Sequence, residues 1–186
     1  MTYRGSSAVA SMQIARQNRF MPIVIPHKVH PLADRRQSVN AMLVRRGVQR
    51  LFLEMGITTI PELSLASGRR ADLIALRQNG EIWIVEIKSS IEDWKADRKW
   101  PEYRNYCDRL FFATHPDVPR EIFPEDAGFI LSDGYGAEIL RDAPEHRLPA
   151  PRRKALTLRF ARASAARLTM AELAGVEIPQ IDEKID

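Results

Sequence analysis

The chain has 186 residues, of which 45% are hydrophobic and 28% charged, and this composition predicts one globular domain with a substantial core. No apolar run approaches the roughly 18 residues of a membrane span, and the N-terminus lacks the apolar segment and cleavage site of a secretory signal. Because Cys107 is the single cysteine, an internal disulfide framework and a multi-cysteine zinc site are excluded. We therefore expect a cytoplasmic protein that does not enter a membrane; its oligomeric state stays unknown.

The net charge of +4 is distributed unevenly along the chain. Residues 1–50 hold nine Lys and Arg against one acid, a net charge of +8, whereas residues 51–151 hold twelve against eighteen, a net charge of −6. Residues 152–167 then hold six basic residues and no acid. An acidic centre between two basic segments suggests a polyanionic partner such as DNA, although solubility alone would also explain the basic segments.

The first predicted element is a helix. Residues 1–37 mix Pro, Arg, Gln and Ser without a sustained period, which predicts a loosely ordered basic N-terminal arm. Ser38 is a suitable N-cap for a helix that runs to about Met55, because apolar residues then recur at helical spacing. Gly56 follows as the residue that ends the helix.

Three strands are predicted after this helix. The first, 57–65, is rich in β-branched residues, and Pro61 within it favours an edge position or a bulge. The second and third, 71–77 and 81–88, flank Asn79-Gly80, and Asn-Gly between two apolar runs is the strongest short-range signal of a β-hairpin. We therefore expect an antiparallel pair.

The remaining pattern predicts a second helix and more strands. Ser90 and Asp93 form a capping box for a helix that runs towards Trp100, where Pro101 interrupts it. The later segments are strands at 109–114, 128–132 and 137–140, a linker at 143–151 and a basic helix at about 153–168. This order predicts an α/β domain with a mixed sheet over 38–151, followed by a basic helix and tail over 152–186.

The predicted hairpin brings charged residues together. Pairing outward from Asn79-Gly80 places Asp72 opposite Glu86, within one residue, and opposed Cβ atoms lie about 4.5–5.5 Å apart. Strand alternation puts Glu86 and Lys88 on the same face. Two adjacent carboxylates repel unless a cation neutralises them, and Mg²⁺ commonly takes one or two carboxylates with water and phosphate oxygens. An internal ion pair between Lys88 and either acid explains the pattern equally well.

Basic residues near this cluster are candidates for phosphate contacts, although solvated surface positions explain them too. Some lie in the loop before the second strand and some on the following helix, where aromatic residues alternate with them; we expect Trp94 and at least one tyrosine to lie in the core. The C-terminal basic helix supplies the best candidates for nonspecific DNA binding. The DNA-binding candidates are Arg69, Arg70, Lys95, Arg98, Lys99, Arg152, Arg153, Lys154, Arg159 and Arg162.

Four segments carry a resemblance to a known family: SGRRADLIAL, GEIWIVEIKSSIEDWKADRKWPEYRNYCDRLFFAT, EIFPEDAGFILSDGYGAEIL and RKALTLRFARASAARL. They resemble the MmcB-type DNA repair proteins over about 47–168. Asp72 and the run from Glu86 to Lys88 also resemble the PD-(D/E)xK nuclease superfamily. The resemblance implies a restriction-endonuclease-like α-β-β-β-α-β core within a nuclease-like α/β domain, in addition to the basic C-terminal helix.

The same resemblance implies roles for individual residues. Asp72 and Glu86 would bind Mg²⁺ or Mn²⁺ with the Ile87 carbonyl as a further ligand, and Lys88 would be the catalytic lysine. Ala71 stands where the family pattern has proline, and the acid that follows it in the pattern is retained here as Asp72. Members often add another acid or amide, for which the candidates are Glu62, Glu54 and Gln49, although capping or surface solvation is the more common role of such residues.

We therefore expect a metal-dependent DNA nuclease that hydrolyses phosphodiester bonds in DNA repair, with other repair proteins as possible partners. The alternative is a non-catalytic DNA-binding or protein-interaction module that retains the nuclease fold. The sequence does not indicate which DNA structure is preferred, or whether cleavage is internal or from an end.

Overall fold

A computed structural model describes residues 38–97 and 99–179. The predicted N-terminal arm (1–37), Arg98 and residues 180–186 lie outside the described part. The elements, in chain order, are α1 (Val39–Glu54), β1 (Thr58–Ser64), β2 (Arg70–Leu76), β3 (Ile82–Lys88), α2 (Ile91–Ala96), a 3₁₀ helix (Trp100–Tyr106), β4 (Arg109–Thr114), a second 3₁₀ helix (Arg120–Ile122), β5 (Gly128–Ser132), β6 (Ala137–Arg141) and α3 (Ala150–Leu173).

The six strands form one mixed sheet in the order β1-β2-β3-β4-β5-β6. Strands β1 to β3 are antiparallel neighbours, β3, β4 and β5 run parallel, and β6 returns antiparallel to β5. The carboxyl ends of the three parallel strands therefore meet at one edge of the sheet. Pro61 lies in β1, which is an edge strand as predicted.

Helix α1 covers one face of the sheet. Ser38 caps it by accepting a hydrogen bond from the Ala41 N–H at 3.1 Å. Its buried stripe of Val44, Val48 and Phe52 packs into a core with aromatic and aliphatic side chains from the middle strands. The predicted helix and its cap are thus confirmed, and the helix ends one residue earlier than expected.

Helix α3 and the first 3₁₀ helix cover the opposite face. Leu156 and Phe160 of α3 pack with Ile74 and Ile84 of the sheet. Because both faces are covered, all seven residues of β3 are buried, which explains its nearly continuous apolar sequence. A third core lies under α2, where the Trp94 ring packs against neighbouring phenylalanine rings, as expected.

Two predicted elements differ in the structure. The second helix ends at Ala96, and residues Trp100–Tyr106 form a 3₁₀ helix that begins next to Pro101. Proline is compatible with a first turn but not with a helix interior, so a new short helix starts there. The basic helix was predicted over 153–168, whereas α3 begins at Ala150 and ends at Leu173.

A buried carboxylate joins α3 to the sheet. Asp108 is 1% exposed. One of its oxygens accepts hydrogen bonds from the Leu148 N–H (2.9 Å) and Arg153 Nη2 (2.6 Å), and the other accepts from the Ile82 N–H (2.8 Å) and Arg153 Nη1 (2.7 Å). Burial alone would raise the pKa of Asp108, but these hydrogen bonds and the Arg153 charge hold that pKa below its usual range.

The rest of α3 runs beside the edge strand β1. Arg159 Nη1 donates to the Ser64 carbonyl at 2.6 Å. Arg167 donates to the carbonyls of Pro61 and Glu62. These contacts attach the basic helix directly to the sheet.

Candidate functional site

Asp72 and Glu86 lie side by side where β2 and β3 separate. The last ladder pair is Leu73 with Val85, and one further step in this register places Asp72 opposite Glu86. The Asp72 N–H donates to Glu86 Oε1 at 3.3 Å, and the Ile87 N–H donates to Asp72 Oδ2 at 2.9 Å. The structure therefore brings together the two acids that the hairpin pairing predicted to be neighbours.

Lys88 lies beside this acid pair but is bound most closely to another residue. Its Nζ is 3.9 Å from Glu86 Oε2 and 2.6 Å from Asp97 Oδ2. The Lys88 and Glu86 side chains are 5% and 4% exposed. Asp97 directly follows α2 and caps its C-terminus. Sequence reasoning missed Asp97, since only the short length of α2 brings that residue back over the end of β3.

The pKa values of all three charged groups in the cluster are shifted. Burial, together with the negative charge of Asp72, holds the pKa of Glu86 well above its usual range. Burial also raises the pKa of Asp72, although the Ile87 N–H opposes this. Burial alone would lower the pKa of Lys88, but the Asp97 hydrogen bond and the nearby carboxylates raise it. The lysine is thus held as an ammonium ion, while the two acids resist being ionised together.

These groups line an open cleft of about 480 Å³ at the carboxyl edge of the sheet. Asp93 and Asp97 also border the cleft, so four acids face one lysine there. The remaining lining residues include Ser38 and Ala41 from α1 and Tyr103, whose hydroxyl donates to the Arg70 carbonyl at 3.1 Å. The cleft therefore has an excess of negative charge and is accessible to a cation with its own ligands.

The oxygens of Asp72, Glu86 and Ile87 fit a hard divalent cation whose coordination shell is completed by oxygens from water or phosphate. Within the described residues, no group of three or more Asp, Glu, His or Cys side chains could hold a metal by itself. Mg²⁺, however, commonly takes only one or two carboxylates and keeps water and phosphate oxygens. The Ile87 N–H points to Asp72, and since the N–H and carbonyl of a strand residue share one flank, the Ile87 carbonyl faces the same side.

Of the three candidates for an additional ligand, Glu62 lies nearest to Asp72. The neighbouring pairs of the β1–β2 ladder place Glu62 opposite Asp72. Its φ of 52° is the only positive value among the described non-glycine residues, which indicates local strain. Its carboxylate contacts Arg45 at 3.5 Å and Arg70 at 3.3 Å. Glu62 is therefore near the cleft but engaged by two arginines.

The other two candidates lie further along α1. Gln49 donates to the Thr59 hydroxyl at 3.5 Å. Glu54 is exposed at the end of α1. Neither lines the cleft.

The DNA-binding candidates near the cleft differ in their contacts. Arg69 forms two hydrogen bonds to Glu102, at 2.6 and 2.9 Å. Lys95 and Lys99 are exposed, and in the described part of the chain neither side chain forms a hydrogen bond or a salt bridge. Arg98 lies outside the described residues.

The candidates on α3 fall into two groups. Arg152, Arg153 and Arg159 donate to groups of the protein itself; Arg152, for instance, donates to the Asn105 carbonyl at 2.8 Å. Lys154 and Arg162 are exposed, and among residues 38–97 and 99–179 their side chains form no hydrogen bond or salt bridge. The second group is therefore the part of the helix that presents free positive charge.

The fold and the site together define an α/β protein with a mixed six-stranded sheet and a buried acid–lysine cluster at its carboxyl edge. The family model described as "DNA repair protein MmcB-like" matches residues 28–175, and the chain belongs to this MmcB-like family. This membership supports a role in DNA repair.

One solved structure that matches is a protein of unknown function from Silicibacter pomeroyi. It is 39% identical, with a TM-score of 0.70, and the match covers 79% of this chain and 99% of that one. None of the curated proteins matches the chain. Among the described residues, no helix has both the length and the apolar character needed to cross a membrane.

Proposed function

We propose that this chain is a metal-dependent deoxyribonuclease that hydrolyses phosphodiester bonds during DNA repair, on a restriction-endonuclease-like core. One observation carries the proposal: Glu86, which is buried, and Asp72, which is half-buried, are held side by side with raised pKa values, beside Lys88 in an open cleft. Such an arrangement costs stability, and strongly perturbed acids in a cleft are characteristic of functional sites.

Each residue then has a defined task. Asp72, Glu86 and the Ile87 carbonyl would hold Mg²⁺ or Mn²⁺, which when bound would lower the pKa of a water and stabilise charge on phosphate. The Lys88 ammonium donates hydrogen bonds to the attacking water or to a phosphate oxygen. Asp97, at 2.6 Å, orients Lys88 and keeps it charged.

DNA is the proposed partner, in the cytoplasm, with other repair proteins as further candidates. The excess of acids in the cleft would repel phosphate without the metal, so affinity must come from basic groups around it. The exposed Lys95, Lys99, Lys154 and Arg162 are the described candidates that retain free charge for phosphate contacts.

The second candidate function is a DNA-binding module without catalysis. The 2.6 Å contact of Lys88 with Asp97 favours it, since a lysine engaged by a carboxylate has fewer donors for substrate. Within the described residues, no three of the acids are placed to hold a metal together, which also favours a module without catalysis.

Cleavage of DNA in millimolar Mn²⁺ tests the proposal. We would assay labelled single-stranded, duplex and flap DNA with wild type, Lys88→Ala and Lys95→Ala. Loss of a group that stabilises the transition state lowers kcat about 100-fold or more, so Lys88→Ala is expected to be nearly inactive. Lys95→Ala, an exposed lysine on the nearby helix α2, should keep its kcat and change only KM.

Two results would contradict the nuclease proposal. Equal cleavage by wild type and Lys88→Ala would show that the cleft does not catalyse the reaction. Salt-dependent DNA binding without cleavage of any substrate would instead support the non-catalytic module.

A further inference from the structure

Tyr135 is exposed in a way that packing does not explain. It lies in the turn 133–136 between β5 and β6, and 84% of its surface is accessible. Among residues 38–97 and 99–179 it is the only exposed aromatic residue. Its ring therefore contributes little to the core, and the turn presents it to solvent.

The backbone around Tyr135 is nevertheless held firmly. Asp133 Oδ1 accepts the N–H groups of Tyr135 and Gly136, each at 2.9 Å. The Ser132 hydroxyl donates to the Gly136 carbonyl at 2.9 Å. Arg50 of α1 donates to the Tyr135 carbonyl, also at 2.9 Å. A ring on such a fixed turn loses little conformational entropy when it binds a partner.

Close packing against α1 adds to this rigidity. A Cβ on Gly47 would lie 2.1 Å from Ser132 Oγ and 2.4 Å from the Gly136 carbonyl oxygen. Gly134 has a φ of +88°, and a Cβ there would lie 2.9 Å from Leu43 Cβ. Helix α1 and the turn thus fit together only because both positions are glycine.

The turn lies at the same edge of the sheet as the acid–lysine cluster. Lys88 pairs with Thr114, and Thr114 pairs with Leu131, so β3, β4 and β5 end side by side. Two strand separations of about 4.8 Å place the end of β5 roughly 10 Å from the end of β3. The turn that carries Tyr135 therefore begins at the edge of the sheet where the cleft opens, and a DNA strand that runs along this edge would pass both.

The charge beside the turn suits DNA. Leu43, Arg46, Gly47 and Arg50 follow helical spacing along one stripe of α1, and the first, third and fourth of them contact the turn. Arg50 donates only one of its five N–H groups to the Tyr135 carbonyl. An arginine next to an exposed aromatic residue, as Arg50 is next to Tyr135, is typical of sites that bind single-stranded nucleic acid.

We propose that Tyr135 stacks on an unpaired base of the DNA strand that the cleft holds, so that the substrate is DNA with a single-stranded stretch near the cleavage point. This inference rests on the proposed nuclease function. A protruding ring can stack only on a base whose face is free, and bases inside a duplex are already stacked. The arginines favour this partner over an apolar protein surface.

Fluorescence anisotropy in EDTA tests the inference without cleavage. We would titrate a labelled single strand and a blunt duplex of equal length with full-length wild type, Tyr135→Ala, Tyr135→Phe and Leu173→Ala. Leu173 is also 84% exposed and serves as the matched control. Tyr135→Ala should weaken single-strand binding about five- to hundred-fold. Tyr135→Phe and Leu173→Ala should stay within about two-fold, as should duplex binding by every variant.

The outcomes separate this inference from the proposed function. If wild type binds single strands and Tyr135→Ala binds them equally well, stacking is wrong while the nuclease proposal stands. Equal weakening on single strand and duplex, or loss in Tyr135→Phe, would also overturn stacking. If wild type neither binds nor cleaves any DNA, the proposed function fails as well, and a protein partner for Tyr135 becomes the better explanation.

Discussion

Strand β3 begins and ends beside a buried carboxylate, and the two sites behave in opposite ways. At its first residue, Asp108 receives four hydrogen bonds, two of them from the Arg153 guanidinium. At its other end, Glu86 has one backbone donor, a lysine at 3.9 Å and a second acid as its neighbour. The two residues are 1% and 3% exposed, so burial does not distinguish them.

The difference lies in the partners. A carboxylate with well-placed donors ionises readily even when buried, and the pKa of Asp108 is accordingly lowered. Burial and a neighbouring acid raise the pKa of Glu86 instead. The first site stabilises the fold, whereas Lys88 and a single backbone N–H offset the cost of burying Glu86 only in part. We infer that a buried acid indicates function when its partners are missing, and structure when they are complete.

The largest effect is expected for Asp108→Ala. The substitution leaves the Arg153 charge without its partner and removes acceptors from two backbone N–H groups. Breaking a buried pair in this way costs about 3–5 kcal/mol, or a fall in Tm of roughly 10 °C for a domain of this size. Thermal unfolding followed by circular dichroism measures it.

A surface ion pair provides the control. Asp126 pairs with Arg104 at 2.6 Å and its side chain is 62% exposed, so Asp126→Ala should cost about 1 kcal/mol or less. Equal losses for the two variants would show that Asp108 is no more important than a surface pair.

The stabilisation by Asp108 also depends on pH. Because the pKa of Asp108 is lower in the folded state, the contribution of this carboxylate to stability is complete above the unfolded pKa near 3.9 and disappears as the pH falls further.

A smaller loss is expected for Arg153→Lys. The lysine keeps the charge but not the planar fork that binds both Asp108 oxygens. We expect a loss of about 1–2 kcal/mol in the free energy of unfolding, measured by urea denaturation. Arg152→Lys is the neighbouring control, because Arg152 is exposed and makes one hydrogen bond to a carbonyl. An unchanged stability for Arg153→Lys would mean that the positive charge at residue 153, and not the planar guanidinium, accounts for its contribution.

The smallest change in stability, with the opposite sign, is expected for Glu86→Gln. The amide can still accept the Asp72 N–H but removes the buried charge, so the protein without metal should gain about 1 kcal/mol at pH 7. The pKa of Glu86 is higher in the folded state than in the unfolded state. Protonated Glu86 therefore contributes fully to the stability of the fold below the unfolded pKa near 4.3, and this contribution is lost as the pH rises through the folded pKa. The gain should therefore grow as the pH rises from about 4, in contrast to Asp108.

In millimolar Mn²⁺, wild type should become more stable than Glu86→Gln, the reverse of the order expected without metal. A ligand that binds only the folded state raises Tm, so wild type should be stabilised and Glu86→Gln should not. Glu102→Gln is the control, since Glu102 is 53% exposed and pairs with Arg69. A Glu86→Gln protein that is less stable than wild type without metal would show that Glu86 belongs to a structural ion pair.

The acid pair could be predicted from the sequence because its determinants are local. The Asn79-Gly80 turn sets the register of the hairpin, and the register places Asp72 opposite Glu86. Asp97 and Arg153 could not be predicted in the same way. Asp97 reaches Lys88 because α2 stops after six residues, and Arg153 reaches Asp108 across 45 residues of chain. Such contacts depend on tertiary packing, which no periodicity in the sequence reports.

The contacts of α3 with β1 have a consequence for how the protein avoids self-association. An edge strand exposes unpaired backbone groups that can pair with another chain. Arg159 and Arg167 bind the carbonyls of Ser64, Pro61 and Glu62, and Pro61 has no N–H to offer. Helix α3 therefore protects this edge against intermolecular strand pairing. A chain shortened before Ala150 would expose β1, and we expect it to aggregate even where its sheet still forms.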